Sequence, residues 1–315
     1  MNMNSNSPSI FKKGDALSAR YRMGILMGEK SNAFWSEMER HYQFLAPKMG
    51  LEVECFWPST DKDMDAQLRR LFEMVESKFD VLIVNPMSNH NLVSGIFHAV
   101  QKGIPVIDVG EKTDQKLVEE AKPKYIPLKT VDFYLQGVLG ARYIIDRLRP
   151  GGVKKVAIIE GRKGAAQSMK RSQGAADIFQ QHPSVRLVKR ESADFDLTKA
   201  KDLAEKMLEE EPEIKAFFCA NDVMALGAVD TIHQIGRMNE IMVVGVDLIR
   251  EAAESIKQGM LEASVAFSTA SVAQVVLESA IQLLRGEEIP DQFRVESVVV
   301  NRENLSWYFS SLNKR

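Results

Sequence analysis

Cysteine is almost missing from this chain: Cys55 and Cys219 are the two in 315 residues, and they are far apart, with no CxxC or Cys/His spacing around them. A zinc site or a disulfide framework is therefore not expected. The five histidines, at 41, 90, 98, 182 and 233, form no HExxH or other ligand spacing, so no metal is expected. Net charge is nearly absent as well, at -2, which favours neither nucleic acid nor an acidic membrane surface as a partner. No run reaches the roughly 18 consecutive apolar residues of a membrane span. The polar opening "MNMNSNSPSIFKKGDALSARYR" lacks the apolar core of about 7 to 15 residues that marks a secretory signal. It reads as a flexible lead-in over residues 1–21. A periplasmic or extracellular location would require a signal that has been removed, and a cytoplasmic one stays open.

What is present is a beat of strand and helix. "RMGILM" (22 to 27) is a short apolar run, and after "GEKSN" the apolar residues Phe34, Met38, Tyr42 and Leu45 recur at helical spacing. Ser31 and Asn32 are natural N-caps for that helix. The same alternation continues with strands over 51–57, 80–85 and 104–110 and helices over 64–77 and up to Lys102. It breaks over 111–129. It then resumes with helices over 130–147, 166–181, 197–210, 222–236, 248–258 and 270–285. Between them lie strands at 153–161, 185–191, 214–221, 241–247 and 261–267. Near-continuous apolar strands separated by helices make parallel sheets covered on both faces. Some ten units are too many for one open sheet, so the expected fold class is α/β with two doubly wound Rossmann-like lobes.

In such sheets ligands sit beyond the carboxyl ends of the strands. Asn32, Phe34 and Trp35 follow a strand end, which puts them at a cleft rim or, equally, makes the two rings a pad between their own helix and the sheet. Catalytic signatures are lacking: no GxSxG elbow, no phosphate-binding GxxxxGK[ST], no GxGxxG. "EGRKGAA" (160 to 166) joins strand to helix and could hold an anion, but a plain surface turn is the expected reading. No cofactor is expected, and the chain is not expected to be an enzyme.

Several stretches together resemble the type I periplasmic binding proteins, the ribose- and galactose-binding family that shares its fold with lactose-repressor-like effector domains. They are "SNAFWSEM", "FDVLIVNP", "GIPVIDVG", "ADFD", "FFCANDVMALGAVDTIHQIG", "IMVVGVD" and "IKQGMLEASVAF", in the family's order over residues 22 to 303. "ANDVMALGA" followed by "VVGVD" is the most specific pair. The resemblance implies a three-crossing hinge near residues 128, 267 and 296. That divides the chain into an N-terminal lobe of 22–128 plus 268–296 and a C-terminal lobe of 129–267 plus 297–315, with a ligand between.

It also implies a site. Asn32, Phe34 and Trp35 stand where the family grips a sugar with an amide and rings; Phe195, Asn221 and Asp247 match contacts from the other lobe. Turn-former and N-cap are the competing roles for Asn221 and Asp247. The chain departs from the family at three places: Gly110 and Glu111 replace an Asp-Arg pair, Met169 replaces an arginine, and Phe267 replaces a glutamine. Two cationic donors lost and an acid gained lead to the expectation of a less hydroxylated, more apolar or even cationic solute. A sugar or sugar-like molecule ranks first, with autoinducer-2-like furanoids, deoxysugars, nucleosides and methylamines behind it.

The implied partners are that ligand and the permease of an ABC-type transporter, or alternatively a sensor kinase or chemoreceptor, with the binding protein a monomer. About twenty residues precede the first strand, fewer than the roughly 50 to 60 of a helix-turn-helix module, so a repressor output is not supported.

Overall fold

The computed structural model describes residues 21–312; nearly all of the expected lead-in, residues 1–20, lies outside them. Its first unit is β1 (Arg22–Leu26), α1 (Ala33–Leu45) and β2 (Glu52–Phe56), followed by α2 (Met64–Val75), β3 (Val81–Val84), α3 (Val93–Gln101), β4 (Val106–Val109) and β5 (Tyr125–Leu128). The five strands form one parallel sheet in the order β2-β1-β3-β4-β5. The alternating apolar spacing of α1 buries Trp35, Met38 and Tyr42, while β3, apolar at every position, is buried throughout.

The second unit opens with α4 (Phe133–Arg147), β6 (Lys154–Glu160), α5 (Ala166–Gln181), β7 (Val185–Ser192) and α6 (Leu197–Glu210). It continues through β8 (Ile214–Cys219), α7 (Asp222–Gln234), β9 (Met242–Asp247), α8 (Arg250–Gln258) and β10 (Ala263–Phe267). After α9 (Thr269–Leu284) come β11 (Ser297–Asn301) and α10 (Leu305–Leu312). The second sheet runs β11-β10-β9-β8-β6-β7, parallel except for β11, which is antiparallel to β10. Two doubly wound α/β lobes result.

The chain changes sheets between β5 and α4, returns after β10 so that α9 packs on α1, and leaves again before β11. Two strands escape the apolar-run reading. The interval 111–129 holds β5, an edge strand interrupted by Pro127, and β11 is a half-exposed edge strand.

Each sheet reverses its winding at one place, between β1 and β3 in the first and between β6 and β8 in the second. The loops at those carboxyl ends face each other across a cleft. Polar contacts that close it include Glu29 with Arg162, Lys62 with Asp196 at 2.6 Å, Lys170 with Glu111 at 3.7 Å, and the Asn89 amide donating to the Gly164 carbonyl at 2.7 Å.

Helices α4 and α5 touch backbone to backbone. A Cβ at Gly137 would lie 1.9 Å from the Arg171 carbonyl oxygen, and one at Gly174 2.2 Å from that of Tyr134. Neither can be relieved by a rotamer change. Gly137→Ala is expected to lower stability by about 3 kcal/mol or more, read as a lower urea midpoint at unchanged slope; an unchanged midpoint would show that the helices separate freely.

Candidate functional site: a closed cleft between the lobes

Beyond Leu26 the strand β1 ends in Met27 and Gly28, and beyond Glu160 the strand β6 ends in Gly161. An aromatic ring lies on each glycine. A Cβ at Gly28 would sit 2.6 Å from the Trp35 ring, and one at Gly161 2.1 Å from that of Phe195. Glycine is needed at both places so that a ring can rest against bare backbone at the cleft wall. Phe195 itself has φ of +60°, and Asp194 before it +56°, a turn that few side chains adopt without support.

The enclosed cavity measures about 60 Å³, room for several waters, each needing roughly 10 to 15 Å³, or for one small molecule. Of the expected residues, Asn32, Phe34, Trp35, Phe195, Asn221, Asp247 and Phe267 line it. Phe34 stands edge-on to Trp35, with ring centres 5.0 Å apart, and 5.8 Å from Phe267. Capping and lining are not alternatives for the two asparagines. The Asn32 Oδ1 accepts from the Phe34 amide at 3.1 Å and the Asn221 Oδ1 from the Met224 amide at 3.0 Å, which leaves each Nδ2 for the cavity. Asp247 does not cap a helix; residue Ile249 holds that place for α8.

Glu111 and Met169 do not line the cavity. Glu111 sits at φ +52° and turns toward Lys170. Met169 is 48% exposed on the outer side of α5. The groups that do face the cavity there are their neighbours in sequence, Lys112 and Arg171. Arg162 lines it too, so "EGRKGAA" is a cleft loop and not a plain surface turn. With three cations on the wall, the expected loss of cationic donors is corrected.

Arg171 is 4% exposed, and each of its nitrogens is engaged. Its Nε donates to the Gln136 Oε1 at 2.8 Å, one terminal nitrogen to the Ala220 carbonyl at 2.9 Å, and the other to the Asp247 Oδ1 at 2.8 Å. The guanidinium also lies over the Phe133 ring at 5.5 Å. Burial raises the Asp247 carboxyl above its ordinary range, and Arg171 opposes the rise.

The backbone beneath Asp247 is strained, with φ of +111° there and +55° at Leu248. A fully buried carboxylate holds it. The Leu248 amide donates to the Ser264 hydroxyl at 3.0 Å and the Ile249 amide to the Asp222 Oδ2 at 2.9 Å, while the Ser264 hydroxyl donates to the Asp222 Oδ1 at 2.7 Å. In the other lobe the buried Gln67 has the corresponding task. Its amide nitrogen donates to the carbonyls of Met27 and Asn85, each at 2.9 Å, and its oxygen accepts from the Met87 amide at 3.2 Å. The strand ends β1 and β3 are tied together by it.

Lys112 is 5% exposed. Its Nζ lies 3.4 Å from the Asn85 Oδ1 and 4.7 Å from the centre of the Trp35 ring. Burial pulls its ammonium down to about 8, against the field of Asp108. Among the described residues no cluster of three metal-ligating side chains occurs, and no helix is long and apolar enough to cross a membrane.

Two α/β lobes that enclose a small polar and aromatic cavity at their switch points define a solute-binding protein of the hinged, two-lobe kind. The chain belongs to the periplasmic binding protein family, whose domain model matches residues 23–288. It is 31% identical to the D-allose-binding periplasmic protein of Escherichia coli (strain K12), an alignment covering 88% of this chain and 91% of that protein. It is 29% identical to the ribose import binding protein of Bacillus subtilis, covering 85% and 83%. A periplasmic solute binding protein of an ABC transporter from Actinobacillus succinogenes, crystallised with bound D-allose, superposes with a TM-score of 0.84 at 27% identity, covering 92% of this chain and all of that one. The relatives are sugar-binding proteins of transport systems, and this chain is a binding protein and not an enzyme.

Two outcomes follow from the electrostatics. Arg171→Met leaves Asp247 buried and uncompensated and is expected to cost about 3 to 5 kcal/mol, whereas Met169→Ala should change the denaturation midpoint by no more than about 0.5 kcal/mol; equal effects would misplace the inner face of α5. The folded chain releases the Lys112 proton near pH 8 and the unfolded chain near its ordinary value of about 10.4. Between these the unfolded state binds more protons, so stability rises with pH. Lys112→Met should remove an upward slope of up to about 1.4 kcal/mol per pH unit in that window; parallel stability curves for the two proteins would place the ammonium in water.

Proposed function

We propose that the protein traps one monosaccharide-sized sugar between its lobes, outside the cytoplasmic membrane, and that a membrane permease of the ABC type recognises the closed form. One observation carries the reading: aromatic rings pressed on glycine at both strand ends, Trp35 from one lobe and Phe195 from the other, with amides, carboxylates and cations between them. Ring faces suit the C–H side of a sugar, while the polar groups read its hydroxyls in a site where an unpaired group is penalised. The names of the relatives, D-allose and ribose binding proteins, support the same class. Lys112, Arg162 and Arg171 on the wall weigh against methylamines and other cations.

In this reading Asn32, Phe34, Trp35, Phe195, Asn221, Asp247 and Phe267 touch the sugar. Lys112 and Arg171 put cationic groups on the wall in place of the two arginines for which the family resemblance has Glu111 and Met169. All come from one chain, so a monomer suffices. The lobes close because the sugar contacts both walls only when they are together, and its differential affinity sets the shift.

A thermal-unfolding series with D-allose, D-ribose, other pentoses and hexoses, myo-inositol, nucleosides and methylamines tests this. A sugar at 100 times its dissociation constant should add about 2.7 kcal/mol and raise the melting temperature. Trp35→Ala should weaken its binding tenfold or more, about 1.4 kcal/mol, with the fold intact by circular dichroism. A shift with methylamines alone, or with no compound after unfolding and refolding to strip retained ligand, would overturn the sugar reading.

A further inference from the structure

The two carboxylates on the cavity wall are not equivalent. Asp247 answers a guanidinium each of whose nitrogens is already engaged. Glu29, 4% exposed, pairs through one oxygen with Arg162, and its Oε2 is shielded from water with no hydrogen-bond partner. Gln167, in the first turn of α5, keeps its Oε1 in the same condition. Both side chains line the cavity, one from each lobe. Arg162, which follows β6, bonds Glu29 across the cleft, and Gln167 stands five residues further along the same chain segment. Lys112, Arg171 and Asp247 come to the cavity wall from the loop after β4, from α5 and from the end of β9.

Two oxygens without donors, on side chains that line one small cavity, ask for hydrogen-bond donors from whatever fills it. An amide can turn its nitrogen instead, so the carboxylate carries the argument. Burial raises the Glu29 carboxyl above its ordinary range, with Arg162 opposing, as fits a group whose second oxygen has no donor. A ligand carboxylate or phosphate on this edge would face the Glu29 charge, and a bare methylene would leave both oxygens unpaired.

We propose that Glu29 and Gln167 form a hydroxyl-reading subsite astride the cleft, which selects a neutral, fully hydroxylated sugar and rejects its deoxy and acidic counterparts. This rests on the sugar reading above and adds the edge of the sugar that is inspected. It gives Glu29 two tasks at once, since the same carboxylate also closes the lobes through Arg162.

The test is a cycle between protein and ligand. Wild type, Glu29→Gln and Gln167→Leu are titrated calorimetrically with D-allose and D-ribose and with the monodeoxy analogues of each. Wild type should bind at least one analogue tenfold or more weakly than its parent, and that ratio should fall below threefold in Glu29→Gln or Gln167→Leu. Glu29→Gln also loses the cross-lobe ion pair, which weakens parent and analogue alike and cancels in the ratio. Gln167→Leu touches no ion pair and stands as the independent arm. Parent sugar bound, with ratios for every analogue unchanged in both variants, overturns the subsite and leaves the sugar reading standing. No binding of either sugar to refolded wild type overturns the subsite together with its premise.

Discussion

The guanidinium of Arg171 is almost wholly out of water, and the penalty for putting it there organises the inner wall of the cleft. A buried cation costs several kcal/mol unless every donor is met. Here the acceptors come from separate elements: Gln136 on α4, the Ala220 carbonyl beyond β8, and Asp247 at the end of β9. Two strand ends and the helix that follows the first crossing are thus held in one register. The Gln136 amide passes the constraint on, donating to the Ser297 hydroxyl at 3.1 Å where β11 begins after the third crossing. A chain of hydrogen bonds therefore joins the cavity wall to two of the three crossings. It depends on the glycine contact between α4 and α5, since only backbone-to-backbone packing brings Gln136 within reach.

The two lobes solve one problem in parallel ways. Each ends a central strand, β1 or β6, in a glycine with an aromatic ring laid on it, and each places a charged residue next, Glu29 or Arg162. Those two charges meet across the cleft. Each lobe also buries one polar side chain whose work is to hold strand ends, Gln67 in the first and Asp222 in the second. Burial pushes the Asp222 carboxyl far above its ordinary range, with the field of Asp247 adding to it. Its two oxygens nonetheless accept from a hydroxyl and a backbone amide, which is what fixes Asp247 at an unfavourable φ. Gly245 makes this possible, because a Cβ there would lie 2.2 Å from the Asp222 Oδ1.

The two-lobe architecture was legible in the sequence because apolar runs and helical spacing are local signals. The strands that escaped, β5 and β11, sit at sheet edges, carry a proline or alternate exposure, and so lack the run. Strand topology offered the cleft rim as one of two places for Asn32 and Trp35, and Asn221 entered only through the family resemblance; the structure brings all three to the cavity wall. Met169 and Glu111 show where such legibility ends. On a helix of 3.6 residues per turn, two positions amount to about 200° of rotation, so Met169 and Arg171 face opposite ways although a linear comparison treats them as near neighbours. At Glu111 a positive φ, foreseeable only from the preceding glycine, turns the next side chain, Lys112, inward. Glu29, Arg162 and Gln167 carry no motif; their meeting is a property of the closed lobes.

The ion pairs across the cleft contribute little to closure. Lys62–Asp196 and Lys170–Glu111 are partly exposed and each contributes roughly 0 to 1 kcal/mol. Glu29–Arg162 is buried, and its attraction is largely spent on desolvating both charges. None of these pairs is strong enough to hold the lobes shut against a loss of several kcal/mol in the cavity. Oxygens on Glu29 and Gln167 that no protein group bonds, and an ammonium on Lys112 with one distant acceptor, add such a loss on closure unless a solute bonds them. The same groups become favourable once hydroxyls meet them. Under the proposed function, polar groups left wanting in the closed cavity make closure depend on the ligand, so that the closed shape would report to a permease that the site is filled.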